Sequence, residues 1–223
     1  MKKVILLASQ SNHRKFFINY CIKIGIEIKY IIFDSKLIKP KFDVNYFYSK
    51  EEFSYETKKV LESQKNCNNS KLNILQVDDM NSEFCQSMIL KKLDVNNDII
   101  VSFGTRKLSK NFIQNMGIKI INIHRGIMEK YRGLDSNLWA RYHKDFENIG
   151  VTLHYVNEFL DLGDVLVQKK ISLKNKPLHK WRIAETKLAA DMLLFLLNNI
   201  DDISSKPLTK KGRYYSFIPS LLV

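Results

Sequence analysis

The chain has 223 residues, 45% hydrophobic and 11% aromatic, which suffices for one well-buried domain and excludes a disordered chain. No apolar run reaches the roughly 18 residues of a membrane span, and the apolar core of Met1–Ala8 is too short for a signal peptide before Gln10, Asn12, His13 and Arg14 interrupt it. A cytoplasmic protein with no membrane partner is expected. The formal charge of +13 comes from scattered lysines rather than one basic face, so nucleic acid is not the expected partner.

In chain order, apolar runs at 4–8, 28–33, 72–77, 99–103 and 118–123 predict five strands. Their continuous rather than alternating character fits a sheet covered on both faces. Helices are predicted over about 12–24, 80–93 and 108–116, the second from the spacing of Phe84, Met88, Ile89 and Leu93. The alternation predicts an α/β fold in three layers, doubly wound on a mostly parallel sheet. The stretch 36–70 is polar and dotted with Tyr46, Phe47, Tyr48, Phe53 and Tyr55, and reads as a substrate-side excursion with a helix around 50–64. After Gly133 come a short helix (135–144), two strands (150–157 and 164–172) around the turn Phe159–Asp164, and a long helix (178–199). That helix is expected to dock through Trp181, Ala184, Leu188, Met192 and Phe195. Residues 1–205 form the expected catalytic domain, and 206–223 a short extension in which 212–217 reads as a strand or hairpin. Cys21, Cys67 and Cys85 lack Cys-x-x-Cys spacing and read as reduced thiols, not as a disulfide framework or a zinc site.

Chemistry concentrates at Ile120-Ile121-Asn122-Ile123-His124. Residues i and i+2 of a strand share a face, so Asn122 and His124 project together at the end of an otherwise apolar strand. In an open α/β sheet that end borders the ligand crevice. Three signatures stand in order: Asn122-Ile123-His124 with Tyr131-Arg132-Gly133, then Gly150-Val151-Thr152-Leu153-His154, then Leu160-Asp161-Leu162-Gly163-Asp164. The set resembles the folate-dependent formyltransferases, most clearly over 98–172.

The resemblance implies a catalytic triad of Asn122, His124 and Asp161 that passes a formyl group from 10-formyltetrahydrofolate to an amine. An amide donor suits the oxygen that becomes negative as the formyl carbon is attacked, and one such donor is worth about 10²–10³ in rate. An imidazole relays protons near neutrality, with Asp161 orienting it and stabilising its charge. The resemblance also implies a folate-gripping loop that includes Phe103, Gly104, Thr105, Lys107 and Leu108, faced by a second wall at Asn157 and Leu160. No metal is implied. Thr152 and His154 share a strand face and would line the same pocket, His154 alternatively being a strand histidine with a backbone hydrogen bond. Arg132 would reach a substrate phosphate or pack locally. Ser9, Ser11 and Asn12 lie where backbone N–H groups can hold a phosphate, the plainer reading being a polar helix cap. Trp139 reads as core. His13 and His143 read as surface residues and His179 as a helix start, none with a role.

Among the branches of the family, the methionyl-tRNA enzymes are expected to carry a further C-terminal domain and the formyltetrahydrofolate hydrolases a regulatory domain in front. The glycinamide ribonucleotide enzymes have a glycine-rich first loop where this chain has Ser9-Gln10-Ser11-Asn12. Elimination leaves the group acting on nucleotide-linked amino sugars of bacterial surface-polysaccharide pathways. Glycinamide ribonucleotide or another small amine is the alternative acceptor, and a non-catalytic binding protein on the same fold the alternative of another class. The aromatic tail makes a homodimer the expected assembly.

Overall fold

The computed structural model describes residues 1–35, 40, 42, 49–65 and 72–223. Tyr46, Phe47, Tyr48 and Cys67 lie outside the described residues. The elements run β1 (Lys3–Ser9), α1 (Asn12–Lys23), β2 (Ile28–Asp34), α2 (Lys50–Gln64), β3 (Ile74–Val77), α3 (Glu83–Leu90), β4 (Asp98–Phe103), α4 (Lys110–Asn115), β5 (Ile120–His124), β6 (Tyr131–Gly133), α5 (Ser136–Tyr142), β7 (Gly150–Tyr155), β8 (Val165–Lys170), α6 (Trp181–Asn198) and β9 (Arg213–Tyr215). Among the described residues, seven strands form the main sheet in the order β3-β2-β1-β4-β5-β7-β8. The pairs from β3 to β5 are parallel, and β7 and β8 join antiparallel.

The unbroken apolar run of β1 has a direct structural cause. Val4, Leu6 and Ala8 pack with Phe17 and Cys21 of α1 and with Ala189, Leu193 and Leu196 of α6. Ile5 and Leu7 enter the opposite core, with Cys85 and Ile89 of α3 and Phe112 of α4. A strand buried on both faces has no solvent side on which to place polar residues. Cys21 and Cys85 are buried and free.

Two sequence expectations are corrected by packing. Phe195 does not dock: it is 54% exposed, while Ala189, Ala190, Leu193, Leu196 and Leu197 face the sheet. Small residues let the helix approach closely, and that choice of face is invisible in a helix apolar nearly all round. Phe84 is 68% exposed, and α3 buries Cys85, Gln86 and Ile89 instead. The segment 212–217 contains the expected short strand, β9, which pairs in parallel with β6, a strand that the sequence pattern did not show.

Connectivity places the crevice. From β1 the chain moves outward to β2 and β3 and then returns to β4 on the other flank of β1. Loops leaving β1 and β4 therefore diverge, opening a gap at the C-terminal edge of the sheet. Ser9 and Gly104 meet across it, the Ser9 hydroxyl donating to the Gly104 carbonyl at 2.9 Å.

Candidate active site

A cavity of about 590 Å³ occupies that gap. Asn122, His124, His154 and Asp161 all line it. Antiparallel pairing of β5 and β7 sets Asn122 opposite His154 and His124 opposite Thr152, which brings the amide and two imidazoles to one edge. Asp161 arrives from the turn between β7 and β8 and adopts a left-handed backbone, with φ of 50°.

The carboxylate of Asp161 is held from three directions. Its Oδ2 accepts from the Gly133 N–H at 2.7 Å and lies 3.4 Å from His124 Nδ1. Its Oδ1 lies 3.6 Å from His154 Nε2 and 3.5 Å from Asn122 Nδ2. Burial by itself would raise the carboxyl pKa, but His124, His154 and the Gly133 N–H outweigh it, and the value falls to about 2. The side chain is an anion at any working pH.

Both histidines have one nitrogen on a carbonyl oxygen. The His154 Nδ1 lies 2.8 Å from the Tyr155 carbonyl, which can only accept, so Nδ1 carries a proton. In the neutral ring Nε2 is then free to accept from Asn122 Nδ2 at 3.1 Å. The His124 Nε2 lies 3.0 Å from the Tyr131 carbonyl, leaving Nδ1 turned toward Asp161. A proton on Nδ1 would complete the hydrogen bonding of the ring. Burial nevertheless keeps the His124 pKa below the ordinary imidazole value, against the opposing pull of Asp161 and the Tyr131 carbonyl. The resting ring is neutral, and the position of its next proton is already prepared.

Of the residues expected to grip folate, Phe103, Gly104, Thr105, Lys107, Leu108, Asn157 and Leu160 all line the cavity. Gly104 sits at φ of 66°, a left-handed backbone that strains any residue with a Cβ, and the Arg14 guanidinium lies over the space such a Cβ would take. Thr105 Oγ1 lies 2.9 Å from Ser102 Oγ. The loop is anchored from below by Arg106, whose Nη2 donates to Asp34 Oδ1 at 2.7 Å, with Nε on the other oxygen. Asn157 shapes the facing wall, its Nδ2 donating to the Leu162 carbonyl at 3.0 Å.

Substrate-side expectations divide. Ser9, Ser11 and Asn12 line the cavity, and Ser11 also caps α1, accepting from the Arg14 N–H. Thr152 and Arg132 are not among the lining residues. Thr152 is fully buried, its hydroxyl donating to the Gly126 carbonyl at 2.7 Å and lying 2.6 Å from Gln168 Oε1. Arg132 donates from Nε to the Gly212 carbonyl and from Nη1 to the Leu160 carbonyl, at 2.7 and 2.9 Å. It ties the turn before Asp161 to the chain end, so the local-packing alternative describes it. Trp139 is half-buried and stacks on Tyr215, with 5.0 Å between ring centroids.

His13 is not a surface residue. It is 5% exposed, because α2 packs over α1 and closes that face, setting Glu56 3.9 Å from its ring. Burial pushes its pKa well down, with Arg14, Arg125 and Arg182 adding to the effect. The sequence reading also missed Arg125, Arg182 and Glu185, which line the same cavity. A signal existed: Glu185 is a carboxylate four residues after Trp181, on the side of the helix expected to dock.

Comparison with known proteins bears on this geometry. A glycinamide relative, the phosphoribosylglycinamide formyltransferase of Haemophilus influenzae, is 35% identical over 102 residues, 45% of this chain and 44% of that one. A methionyl-tRNA formyltransferase of Ehrlichia ruminantium is 30% identical over 115 residues, 51% of this chain and 37% of that one. The matches span less than half the length of these curated relatives. In structure, a sugar N-formyltransferase from Shewanella sp FDAARGOS_354 superposes with a TM-score of 0.64 at 17% identity, covering 96% of this chain and 77% of that one. A formyltransferase from Anoxybacillus kamchatkensis, solved with UDP-4,6-dideoxy-4-formamido-L-AltNAc and tetrahydrofolate, superposes at 0.56 with 21% identity, covering 96% and 86%. These likenesses establish the formyltransferase fold. The family model described as formyl transferase matches residues 36–180, well over half the chain, and on that match the protein belongs to the formyl transferase family.

Proposed function

We propose that this protein is an N-formyltransferase that moves a formyl group from 10-formyltetrahydrofolate to the amine of a nucleotide-linked amino sugar in the cytoplasm. The observation that carries the reading is the meeting of Asn122, His124 and Asp161 on one cavity wall, between two loops able to hold a flat ring through backbone groups. A folate bound there supplies an activated one-carbon unit, and the chain does the rest. One N–H of Asn122 is engaged by His154. The contact of the amide with Asp161, at 3.5 Å, is near the outer limit of a hydrogen bond, so a substrate oxygen gaining negative charge competes for that donor successfully. As the amine bonds to the formyl carbon, His124 takes its proton on Nδ1, Asp161 stabilises the imidazolium at 3.4 Å, and the proton passes on to the folate nitrogen when its bond to that carbon breaks.

The folate loop, the triad and the 35% identity to a glycinamide ribonucleotide enzyme are shared by the second reading, in which the acceptor is a smaller phosphorylated amine. The reading is tested by mixing the protein with 10-formyltetrahydrofolate and a panel of nucleotide-linked amino sugars and glycinamide ribonucleotide, and following release of tetrahydrofolate. Turnover with one nucleotide-linked sugar is the expected result. Turnover with glycinamide ribonucleotide alone selects the second reading, and none with any amine overturns both.

A pH profile tests the proton step. Because burial holds the His124 pKa down, the rate at saturating substrate is expected to climb through one ionisation below pH 6.5, the ordinary imidazole value, and then level off. The base is neutral above its own pKa and blocked below it. A midpoint clearly above 6.5 would contradict the assignment.

A further inference from the structure

Beside the triad and the folate loops, one wall of the cavity has a different character. Three guanidinium groups stand there: Arg14 from the first turn of α1, Arg125 directly after His124, and Arg182 from the first turn of α6. Their carboxylate partners come from α2 and α6. Arg125 Nη1 lies 3.5 Å from Glu185 Oε2, Arg182 Nη2 lies 3.5 Å from Glu52 Oε1, and Arg182 Nη1 lies 3.4 Å from Glu56 Oε1. Elsewhere in the molecule Lys29 and Asp98 close to 2.6 Å, so the separations on this wall are long for ion pairs.

Arg14 stands apart. Among the described residues its hydrogen-bond acceptors are the Ser9 carbonyl and the hydroxyls of Ser9 and Ser11, all through Nη1, and its guanidinium stands 5.7 Å from the Phe103 ring centroid. Its Nε is buried with no hydrogen-bond partner. Burial, with Arg125 and Arg182 adding to it, lowers the Arg14 pKa to about 9. Burial also pushes Glu185 up to about 7, against the pull of Arg125 and Arg182, and raises Glu56. Among the described residues Arg125 and Arg182 have carboxylates within 4.0 Å and Arg14 has none, so a guanidinium without an ion pair stands on a wall that adjoins the triad.

We propose that Arg125 and Arg182, with Arg14 behind them, form a subsite for a phosphoryl or diphosphoryl group of the acceptor. Guanidinium forks match phosphate oxygens two at a time, and a doubly or triply charged group answers three cations better than one carboxylate would. Arg125 follows His124 directly in sequence, so an acceptor anchored there by its phosphate lies beside the base that must deprotonate its amine. The inference rests on the formyl-transfer reading for its biological sense, but its test does not depend on turnover.

Binding of thymidine diphosphate and of inorganic pyrophosphate to the full chain is measured by calorimetry, with no folate present. Arg125→Gln and Arg182→Gln are each expected to weaken thymidine diphosphate binding about tenfold or more, with Arg125→Lys recovering part of the loss. Pyrophosphate should show the same dependence if the bare anion is recognised. Dependence seen only with thymidine diphosphate would also support the subsite, as one that needs the nucleoside for purchase. The Arg125 side chain is 23% exposed, so its variant reads out binding even if Arg182→Gln unfolds. Equal binding by the wild type and Arg125→Gln, or no wild-type binding at millimolar concentration, overturns the inference. If those results accompany brisk formylation of a neutral amine, the formyl-transfer reading survives alone. Arginine-dependent binding without transfer to any amine sinks that reading and leaves the subsite standing.

Discussion

Replacing Asp161 by asparagine is expected to lower the turnover of formyl transfer by about three orders of magnitude while the fold persists. Asparagine tolerates the left-handed backbone at this position, φ of 50°, and its amide oxygen can still accept from the Gly133 N–H, now at 2.7 Å from Oδ2. What it cannot supply is the negative charge 3.4 Å from His124 Nδ1. The amide also offers N–H groups to its surroundings, which turns an acceptor-only partner into one with two faces. Alanine is a less clean substitution. It strands the buried Gly133 N–H at a cost of about 1–3 kcal/mol, mixing instability with lost chemistry. Steady-state kinetics beside a thermal melt separate the two. A variant Asp161→Asn with the wild-type rate would remove the carboxylate from the mechanism. His124→Asn should lose a comparable factor, since it deletes the base that Asp161 serves.

The second large effect is expected from Gly163→Ala, a change that touches no reacting group. A Cβ on Gly163 would stand 1.7 Å from the Tyr155 carbonyl oxygen, a backbone atom at the end of β7 that cannot swing aside. The neighbouring backbone contact, Tyr155 N–H to the Asp164 carbonyl at 2.9 Å, must lengthen or break. The turn carrying Asp161 then moves away from β5, and catalytic groups displaced by about 1 Å lose about 10²-fold in rate. Far-ultraviolet circular dichroism should stay near that of the wild type, while the rate falls by about that factor. Full activity would show that the turn relaxes without shifting the carboxylate.

The sequence exposed some parts of this molecule because their signals are local. Asn122 and His124 share a face by strand geometry alone, and the apolar runs of β1, β4 and β5 mark strands buried on both sides, whereas the similar run of β3 belongs to an exposed edge. Asp161 carries no such mark: it enters from a distant turn and was legible only through the resemblance. Thr152 reads as pocket-lining because it shares a strand face with His154, and Arg132 as reaching a phosphate or packing locally, yet their polar groups are consumed by Gly126, Gln168, Gly212 and Leu160. Hydrogen bonds between residues far apart in the chain leave no periodic trace. The docking face of α6 was misassigned for a related reason, since apolar residues run around most of the helix and the small Ala189 and Ala190 decide which side meets the sheet. His13 was hidden by α2, whose packing over α1 no local pattern reveals.

The parallel pairing of β6 with β9 carries a temporal consequence. Gly133, whose N–H seats Asp161, is bracketed by Tyr215: the two are register partners, and the Leu134 N–H donates to the Tyr215 carbonyl at 2.9 Å. During synthesis, strands β1 to β5 leave the ribosome long before Arg213–Tyr215 does. The nascent sheet can therefore close the core it shares with α3 and α4 while the Asp161 carboxylate still lacks its buttress. The seat of that carboxylate is completed late, once Arg213–Tyr215 settles beside a strand some eighty positions upstream.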